Sequence, residues 1–227
     1  MGSILEVSEG RDKESCNRLI ESALNQEQIA GIRTLSMDMW KPYINMASER
    51  FPKAEVVHDK FHLVKYLSEA MDKVRRRESK THSELKNTRY ALLKNVINLT
   101  EKQRIKFETI RDGNYEVTKA WGVRENFRAL FAENSKEEAF ILFSQWCSHA
   151  TRTGVNEINK VVDTFKNHIS GVINAMVKNL NNAMAERLNG KIQELKTIGK
   201  GYRKFENFRS AILFFHGKLN LYPQHSW

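Results

Sequence analysis

Three acidic side chains occupy positions at which carboxylate chemistry is plausible. Asp38 follows the apolar residues 35–37, and Asp59 follows residues 56–58. Ligands and metals collect at the carboxyl ends of strands in open α/β sheets, although an aspartate there can also simply cap the next helix. Glu186 is the third candidate because several lysines and arginines follow it closely. Carboxylate oxygens at these positions would suit hard divalent cations and chemistry on phosphates.

Two histidines flank the second aspartate. His58 and His62 lie one residue before and three residues after Asp59, so the three side chains could bind a metal. Histidines in such a setting more often pack or form hydrogen bonds, and no cysteine or third close ligand completes a zinc site. The roles of Asp59 and His62 therefore stay open between a metal contact and support of a site or of the fold.

Several common catalytic motifs are absent from the sequence. It has no Gly-rich phosphate loop, no GxSxG elbow and no HExxH pair. NTPases, hydrolases with a nucleophile elbow and zinc proteases are therefore disfavoured. Carboxylate chemistry on phosphates remains.

Positive charge is concentrated in two parts of the chain. The formal net charge is +10 and the pI is near 9.6. Residues 60–128 carry 17 basic and 9 acidic side chains, residues 186–218 carry 8 and 3, and residues 1–59 carry 7 and 10. This distribution suits a nucleic acid held near a carboxylate-bound metal. The alternative is a set of solvated amphipathic helices.

The densest basic clusters supply the candidate contacts to a nucleic acid. One cluster lies at residues 75–77, and the other crowds around and beyond Glu186, where cations could hold a phosphodiester. Arginines near a helix end can instead merely complement the helix dipole, so the first cluster has a structural alternative. The candidates are Arg75, Arg76, Arg77, Arg187, Lys191, Arg203 and Lys204.

Composition indicates a folded protein of a reducing compartment. Of 227 residues, 41% are hydrophobic and only three are proline, which disfavours a disordered chain. The two cysteines, Cys16 and Cys147, form no CxxC pair, so neither a disulfide framework nor a cysteine zinc site is expected. No apolar stretch reaches the roughly 18 residues of a membrane span. We expect a cytoplasmic protein.

The hydrophobic pattern predicts an α/β layer in the first part of the chain. Residues 3–7, 34–37 and 55–58 have strand character and alternate with helical patterns. That alternation predicts at least two parallel strands.

From residue 61 to about residue 170 the pattern is helical throughout. Capping boxes at Thr100 and Ser135 predict helix starts near residues 101 and 136. A helix over residues 183–196 and a last helix with apolar residues at 205–215 are expected to follow.

Three stretches of sequence together carry a family resemblance. They are LSMDMWKPY at residues 35–43, AEVVHDKFHLVK at 54–65, and NAMAERLNGKI at 182–192 continuing into GYRKFENFR at 201–209. In order and spacing they resemble the bacterial insertion-sequence DDE transposases of the ISL3 type. The similarity extends over almost the whole chain.

The resemblance implies an RNase H-like domain in which two aspartates and a glutamate bind two Mg²⁺ or Mn²⁺ ions for DNA cleavage and strand transfer. Asp38 matches the family's second aspartate and Glu186 its glutamate. The long interval between them is explained by a helical insertion. The expected fold is thus α/β, with a truncated RNase H-like core at residues 1–60, an all-helical insertion at 61–175 and the glutamate-bearing C-terminal helices at 176–227.

The resemblance also implies that a ligand is missing. The family's first aspartate lies upstream of the segment that resembles ILEVSEGR at residues 4–11, and no residue here matches it. We therefore expect the C-terminal portion of a transposase, without the first two strands and the N-terminal DNA-recognition region.

Two main hypotheses of function follow. The first is that the chain is an enzyme, or a piece of an enzyme, that catalyses metal-dependent transposition. The second is that it is a catalytically inactive DNA-binding remnant. A helical scaffold with no nucleic-acid role is a third and weaker hypothesis. The expected partner is DNA, both transposon ends and target, with a homo-oligomer as a further possibility. No membrane and no small-molecule substrate are expected, and the location would be the bacterial cytoplasm, associated with the nucleoid.

Overall fold

The computed structural model describes residues 3–10, 12–94, 96–131, 135–178 and 183–217. The chain divides into two compact units. Unit 1 comprises Met1–Val56 and Leu180–Trp227, and unit 2 comprises Val57–Asn179.

The described residues form mainly helices. In chain order the elements are α1 (Lys13–Ala23), α2 (Gln26–Gly31), β1 (Thr34–Met37), α3 (Lys41–Arg50), β2 (Glu55–His58), α4 (Lys60–Glu78), α5 (Arg89–Leu93), α6 (Glu101–Arg111), α7 (Glu116–Ala129), α8 (Lys136–Arg152), α9 (Asn156–Asn167), α10 (Ile169–Lys178), α11 (Ala183–Ile198) and α12 (Phe205–His216), with short 3₁₀ turns at Ser83–Leu85 and Val96–Asn98.

Polar caps and a proline set the helix starts of unit 1. The Asp12 carboxylate accepts a hydrogen bond from the Ser15 backbone N–H at 2.8 Å and caps α1. Asn25 and Gln28 form a reciprocal capping box at α2. Pro42 occupies the first turn of α3, where its missing N–H is not needed.

The sheet consists of β1 and β2, which pair in parallel. The strands predicted at residues 34–37 and 55–58 are therefore confirmed. A strand at residues 3–7 is wrong, because that segment has no regular secondary structure. Its backbone bonds to a helix end instead: the Ile4 N–H donates to the His216 carbonyl at 3.1 Å.

Unit 2 is built around α4. This 19-residue helix packs against α7 and α9 through apolar side chains that are almost completely buried. They include Leu63, Leu67, Met71 and Val74. A cluster of aromatic side chains extends this core, with the Phe127 ring centroid 4.8 Å from that of Trp146 and 5.1 Å from that of Phe165.

Local signals in unit 2 act as predicted. Thr100 and Ser135 cap α6 and α8 through complete capping boxes, so the predicted helix starts are confirmed. The description of the fold as α/β is correct at a coarse level, since a small parallel sheet accompanies the helices. The RNase H-like identity of the core and the three-part division stay predictions. Among the described residues, no helix is both long and apolar enough to span a membrane.

Candidate functional site

Asp38 lies immediately after β1 in unit 1. Its side chain is half-buried, and its Oδ1 accepts a hydrogen bond from the Met39 backbone N–H at 2.7 Å. The next helix, α3, begins at Lys41. The residue is therefore placed as predicted, in the connection that leaves the carboxyl end of a parallel strand.

Glu186 lies near the start of α11, which is also part of unit 1. Its side chain is outside the described part of the structure. The approach of Glu186 to Asp38 therefore stays a prediction. Among the side chains that the structure does describe, no three His, Cys, Asp or Glu residues are grouped as metal ligands.

The basic segment after Glu186 forms two helices, α11 and α12, joined by a short turn. Arg187 and Lys191 are exposed on α11, and Arg203 and Lys204 are exposed in the turn. The turn is sharp because Lys200 and Gly201 have φ angles of 48° and 86°. Four of the predicted DNA contacts are thus exposed to solvent, two along α11 and two in the turn that follows it.

The turn is fixed by packing and by the backbone. The Gly201 N–H donates to the Lys196 carbonyl at 3.0 Å, which closes the end of α11. The Tyr202 ring then packs on Phe208 of α12, with 5.0 Å between ring centroids. These contacts hold the two basic helix ends in one geometry.

The arginines at residues 75–77 all form ion pairs at the end of α4. The Nε atoms of Arg75 and Arg76 donate to the two oxygens of Asp72 at 2.8 and 2.9 Å. The Arg75 side chain is only 12% exposed, whereas that of Arg76 is 66% exposed. These three arginines, predicted as one DNA-binding cluster, therefore differ in how much of each side chain faces solvent.

Arg77 connects α4 to two other helices. Its guanidinium donates to Glu157 of α9, with 2.9 Å between Nε and Oε1, and also to Glu116 of α7. The hydrogen bond from Arg77 lowers the pKa of Glu157, although burial opposes this shift. Arg77 thus has a structural role that the sequence did not reveal.

Asp72 is the acidic partner of the arginine cluster at residues 75–77, and it was not predicted from the sequence. Its side chain is only 10% exposed and contacts a third arginine, with 3.8 Å between Oδ2 and the Nε of Arg89. Burial by itself would raise the pKa of Asp72, but hydrogen bonds and charge from Arg75 and Arg76 outweigh burial and lower it. The spacing of Asp72 three and four residues before two arginines was the available signal.

The second predicted acid, Asp59, caps α4. Its Oδ1 accepts a hydrogen bond from the Phe61 N–H at 2.9 Å, and its Oδ2 lies 2.9 Å from His62 Nδ1. His58 is buried, and its ring meets that of His168 edge-on at 5.8 Å. The observed contacts of Asp59 and His62 support the fold at the start of α4.

Comparison with known proteins places the chain in a family. A family model described as Transposase, of the DDE type and the ISL3 group, matches residues 1–212. The chain belongs to the ISL3-type DDE transposase family. Both Asp38 and Glu186 fall inside the range that matches this transposase family.

Two curated relatives of this transposase family member are similar over most of its length. The transposase for insertion sequence element IS1001 of Bordetella parapertussis is 25% identical over 213 residues, which cover 90% of this chain and 52% of the relative. The transposase for IS1557 of Mycobacterium tuberculosis (strain CDC 1551 / Oshkosh) is 27% identical over 230 residues, which cover 89% of this chain and 51% of the relative. The chain thus spans about half the length of these relatives. No solved structure matches it.

Proposed function

We propose that this chain contributes two metal-binding carboxylates and a DNA-binding surface to the transposition of an insertion sequence. The observation that carries the proposal is the family match over residues 1–212, together with the position of Asp38 at the end of β1. Glu186 lies on α11 of the same unit and would supply the second carboxylate.

The donor chemistry fits a hard divalent cation. Both residues offer carboxylate oxygens, which Mg²⁺ and Mn²⁺ prefer over nitrogen or sulfur ligands. When bound, such ions activate an attacking hydroxyl and stabilise the leaving oxygen of a phosphodiester. Asp38 and Glu186 would hold the cation, and the resemblance assigns no residue of this chain to the family's first aspartate.

The basic segment formed by α11, α12 and the turn between them would orient DNA beside these carboxylates. Its exposed cations, Arg187, Lys191, Arg203 and Lys204, follow Glu186 directly along the chain. Lysine and arginine contacts to phosphates position a duplex without reading its sequence. This surface accounts for the excess of positive charge after residue 186.

Binding of Mn²⁺ to the full chain tests the carboxylate assignment. Electron paramagnetic resonance would count bound Mn²⁺ for the unaltered protein, for Asp38→Asn and for Glu186→Gln. We expect each variant to weaken binding at least tenfold, because a neutral amide replaces one charged ligand. Glu27→Gln removes an exposed carboxylate from the same unit and should bind Mn²⁺ normally. Equal binding by all four proteins would refute the assignment.

A catalytically inactive DNA-binding protein is the second candidate function. It is favoured by the exposed basic turn, whose lysine and arginine side chains can contact phosphates without a bound metal. Both candidates predict DNA binding that weakens steeply with salt. Nicking of a supercoiled plasmid with Mn²⁺ separates them, since only the enzyme should cut and Asp38→Asn should abolish that cutting.

A further inference from the structure

A cleft of about 450 Å³ with mostly charged residues in its lining lies on the surface of unit 2. One wall is a face of α4, and the other is formed by Arg89 and Leu93, the first and last residues of α5. Its lining consists of Lys65, Ser68, Glu69, Asp72, Lys73, Arg76, Arg89 and Leu93. Four of these side chains are cations, two are carboxylates, one is a hydroxyl and one is apolar.

The solvent-facing charge of the cleft is positive. One of its two carboxylates, Asp72, is buried and already bonded to arginines. Glu69 is exposed, but Lys65 and Lys73 lie one helical turn before and after it on α4. Lysine and arginine side chains therefore dominate what a ligand would meet.

Asp72 holds Arg76, an arginine that lines the cleft, in a fixed position. Its Oδ2 accepts from Nε of Arg76 at 2.9 Å and lies 2.8 Å from Nη2 of the same guanidinium. A guanidinium carries five N–H donors in a rigid fork, so Arg76 retains donors beyond those used on Asp72. An arginine restrained in this way loses less conformational entropy when it binds an anion.

The extent of the cleft along α4 fits an extended polyanion. Leu93 is the one apolar residue among the described residues of this lining, and the lysines and arginines present charged groups at the ends of aliphatic stems. Lys65 and Arg76 are 11 positions apart on α4, a separation of about 16 Å at the helical rise of 1.5 Å per residue. About five successive phosphates of one DNA strand occupy that axial length.

We propose that this cleft binds the phosphate backbone of DNA, as a second contact surface on unit 2. The inference rests on the proposed function, because that function supplies DNA as the partner. Of the predicted cluster at residues 75–77, Arg76 lines the cleft, whereas Arg75 and Arg77 hold the structure around it. Lys65, Lys73 and Arg89 are contacts that the sequence alone did not indicate.

A salt titration of DNA binding tests the proposal. Fluorescence anisotropy with a labelled 20-base-pair duplex would give Kd for the full chain between about 50 and 200 mM salt. The double substitution Lys73→Gln with Arg89→Gln should lower the slope of log K against log salt by about 2. A charge-matched control, Lys102→Gln with Arg104→Gln, removes two exposed cations of α6 and should leave the slope unchanged.

A gain of affinity provides a test that misfolding cannot imitate. Glu69→Gln removes the exposed carboxylate of the cleft and should tighten DNA binding by roughly two- to fivefold at low salt. Glu108→Gln, an exposed acid on α6, should have no such effect.

The outcomes separate this proposal from the proposed function. If the double substitution and its control change DNA binding equally, or if Glu69→Gln changes nothing, the cleft is not a DNA contact, whatever the Mn²⁺ result. Binding of polyglutamate, an acidic polypeptide, would be measured for the same variants. If the double substitution weakened binding of polyglutamate but not of DNA, the cleft would be a site for an acidic protein, and the proposal would be refuted. Failure of Mn²⁺ binding alone would leave the cleft intact as a DNA contact.

Discussion

The imidazole of His58 lies in the space that a side chain on Gly171 would need. A Cβ added to Gly171 would be 2.4 Å from Cδ2 of His58 and 2.5 Å from its Nε2. Gly171 lies on α10, and His58 is the last residue of β2. The end of the strand can therefore pack closely on α10 only because residue 171 is glycine.

Gly171→Ala should destabilise unit 2. Either the buried ring of His58 or the backbone of α10 must move, and overpacking of this kind costs about 1–3 kcal/mol. Urea unfolding would measure the change. Gly122→Ala is the matched control, since no atom lies within 4 Å of the added Cβ in α7. That control should be neutral or stabilising by up to about 1 kcal/mol, and a similar loss for both variants would contradict the steric explanation.

Arg124→Ala should also destabilise unit 2. The Arg124 side chain is 1% exposed and its Nη2 donates to the Leu92 carbonyl at 2.8 Å. Truncation would leave a cavity and an unpaired carbonyl, at a cost of about 2–4 kcal/mol in the free energy of unfolding. Arg128→Ala removes a partly exposed partner of Glu125 and should cost less than about 1 kcal/mol. Equal costs in urea unfolding would show that burial of Arg124 contributes little.

Acid should release the N-terminal segment from α12. The Arg209 Nε donates to Glu6 Oε1 at 2.7 Å, and this hydrogen bond lowers the pKa of Glu6 although burial opposes the shift. A depressed pKa in the folded state contributes stability above the usual value of 4.5, and this stability is lost as pH falls through the folded-state pKa.

Hydrogen–deuterium exchange of the amides of α12 would detect this loss. Protection in the unaltered protein should decrease as pH falls below about 4.5, once the intrinsic pH dependence of exchange is removed. In Glu6→Gln protection should be lower at neutral pH and should vary less with acid. The neighbouring Glu9→Gln should behave like the unaltered protein, and an unchanged profile for Glu6→Gln would contradict the role of the pair.

Substitutions of Asp59 should distinguish a helix cap from a metal ligand. Asp59→Ala removes the acceptor for the Phe61 N–H and should cost about 1 kcal/mol in urea unfolding. Asp59→Asn keeps an acceptor and should cost much less, since asparagine caps helices nearly as well as aspartate. Neither variant should change Mn²⁺ binding. A large drop in Mn²⁺ affinity for Asp59→Asn would show that this carboxylate belongs to the metal site.

Much of the fold could be predicted because its signals are local. The capping boxes at Thr100 and Ser135 involve residues three positions apart, so the helix starts can be recognised in the sequence. Helix α2 was not predicted, because six residues are too few to show a helical period. Its capping box, Asn25 with Gln28, was the one available signal.

Long-range partners explain what the sequence could not reveal. Arg77 pairs with Glu116 and Glu157, which are 39 and 80 positions away. Likewise, Glu6 is bonded to Arg209, so a segment with strand character lies against a helix and forms no ladder. In the candidate site, the strand-end position of Asp38 was predictable from its sequence neighbours, whereas its approach to Glu186 stays a prediction.

The 203 positions between Glu6 and Arg209 affect how the chain folds during synthesis. Unit 2 is a continuous stretch, so its synthesis ends before that of α12 begins, and domains generally fold as units as they emerge. Unit 1 cannot be completed until the last helix is released. Its early helices, α1 to α3, are therefore made long before the rest of unit 1, and α1 and α3 can pack on each other during that interval.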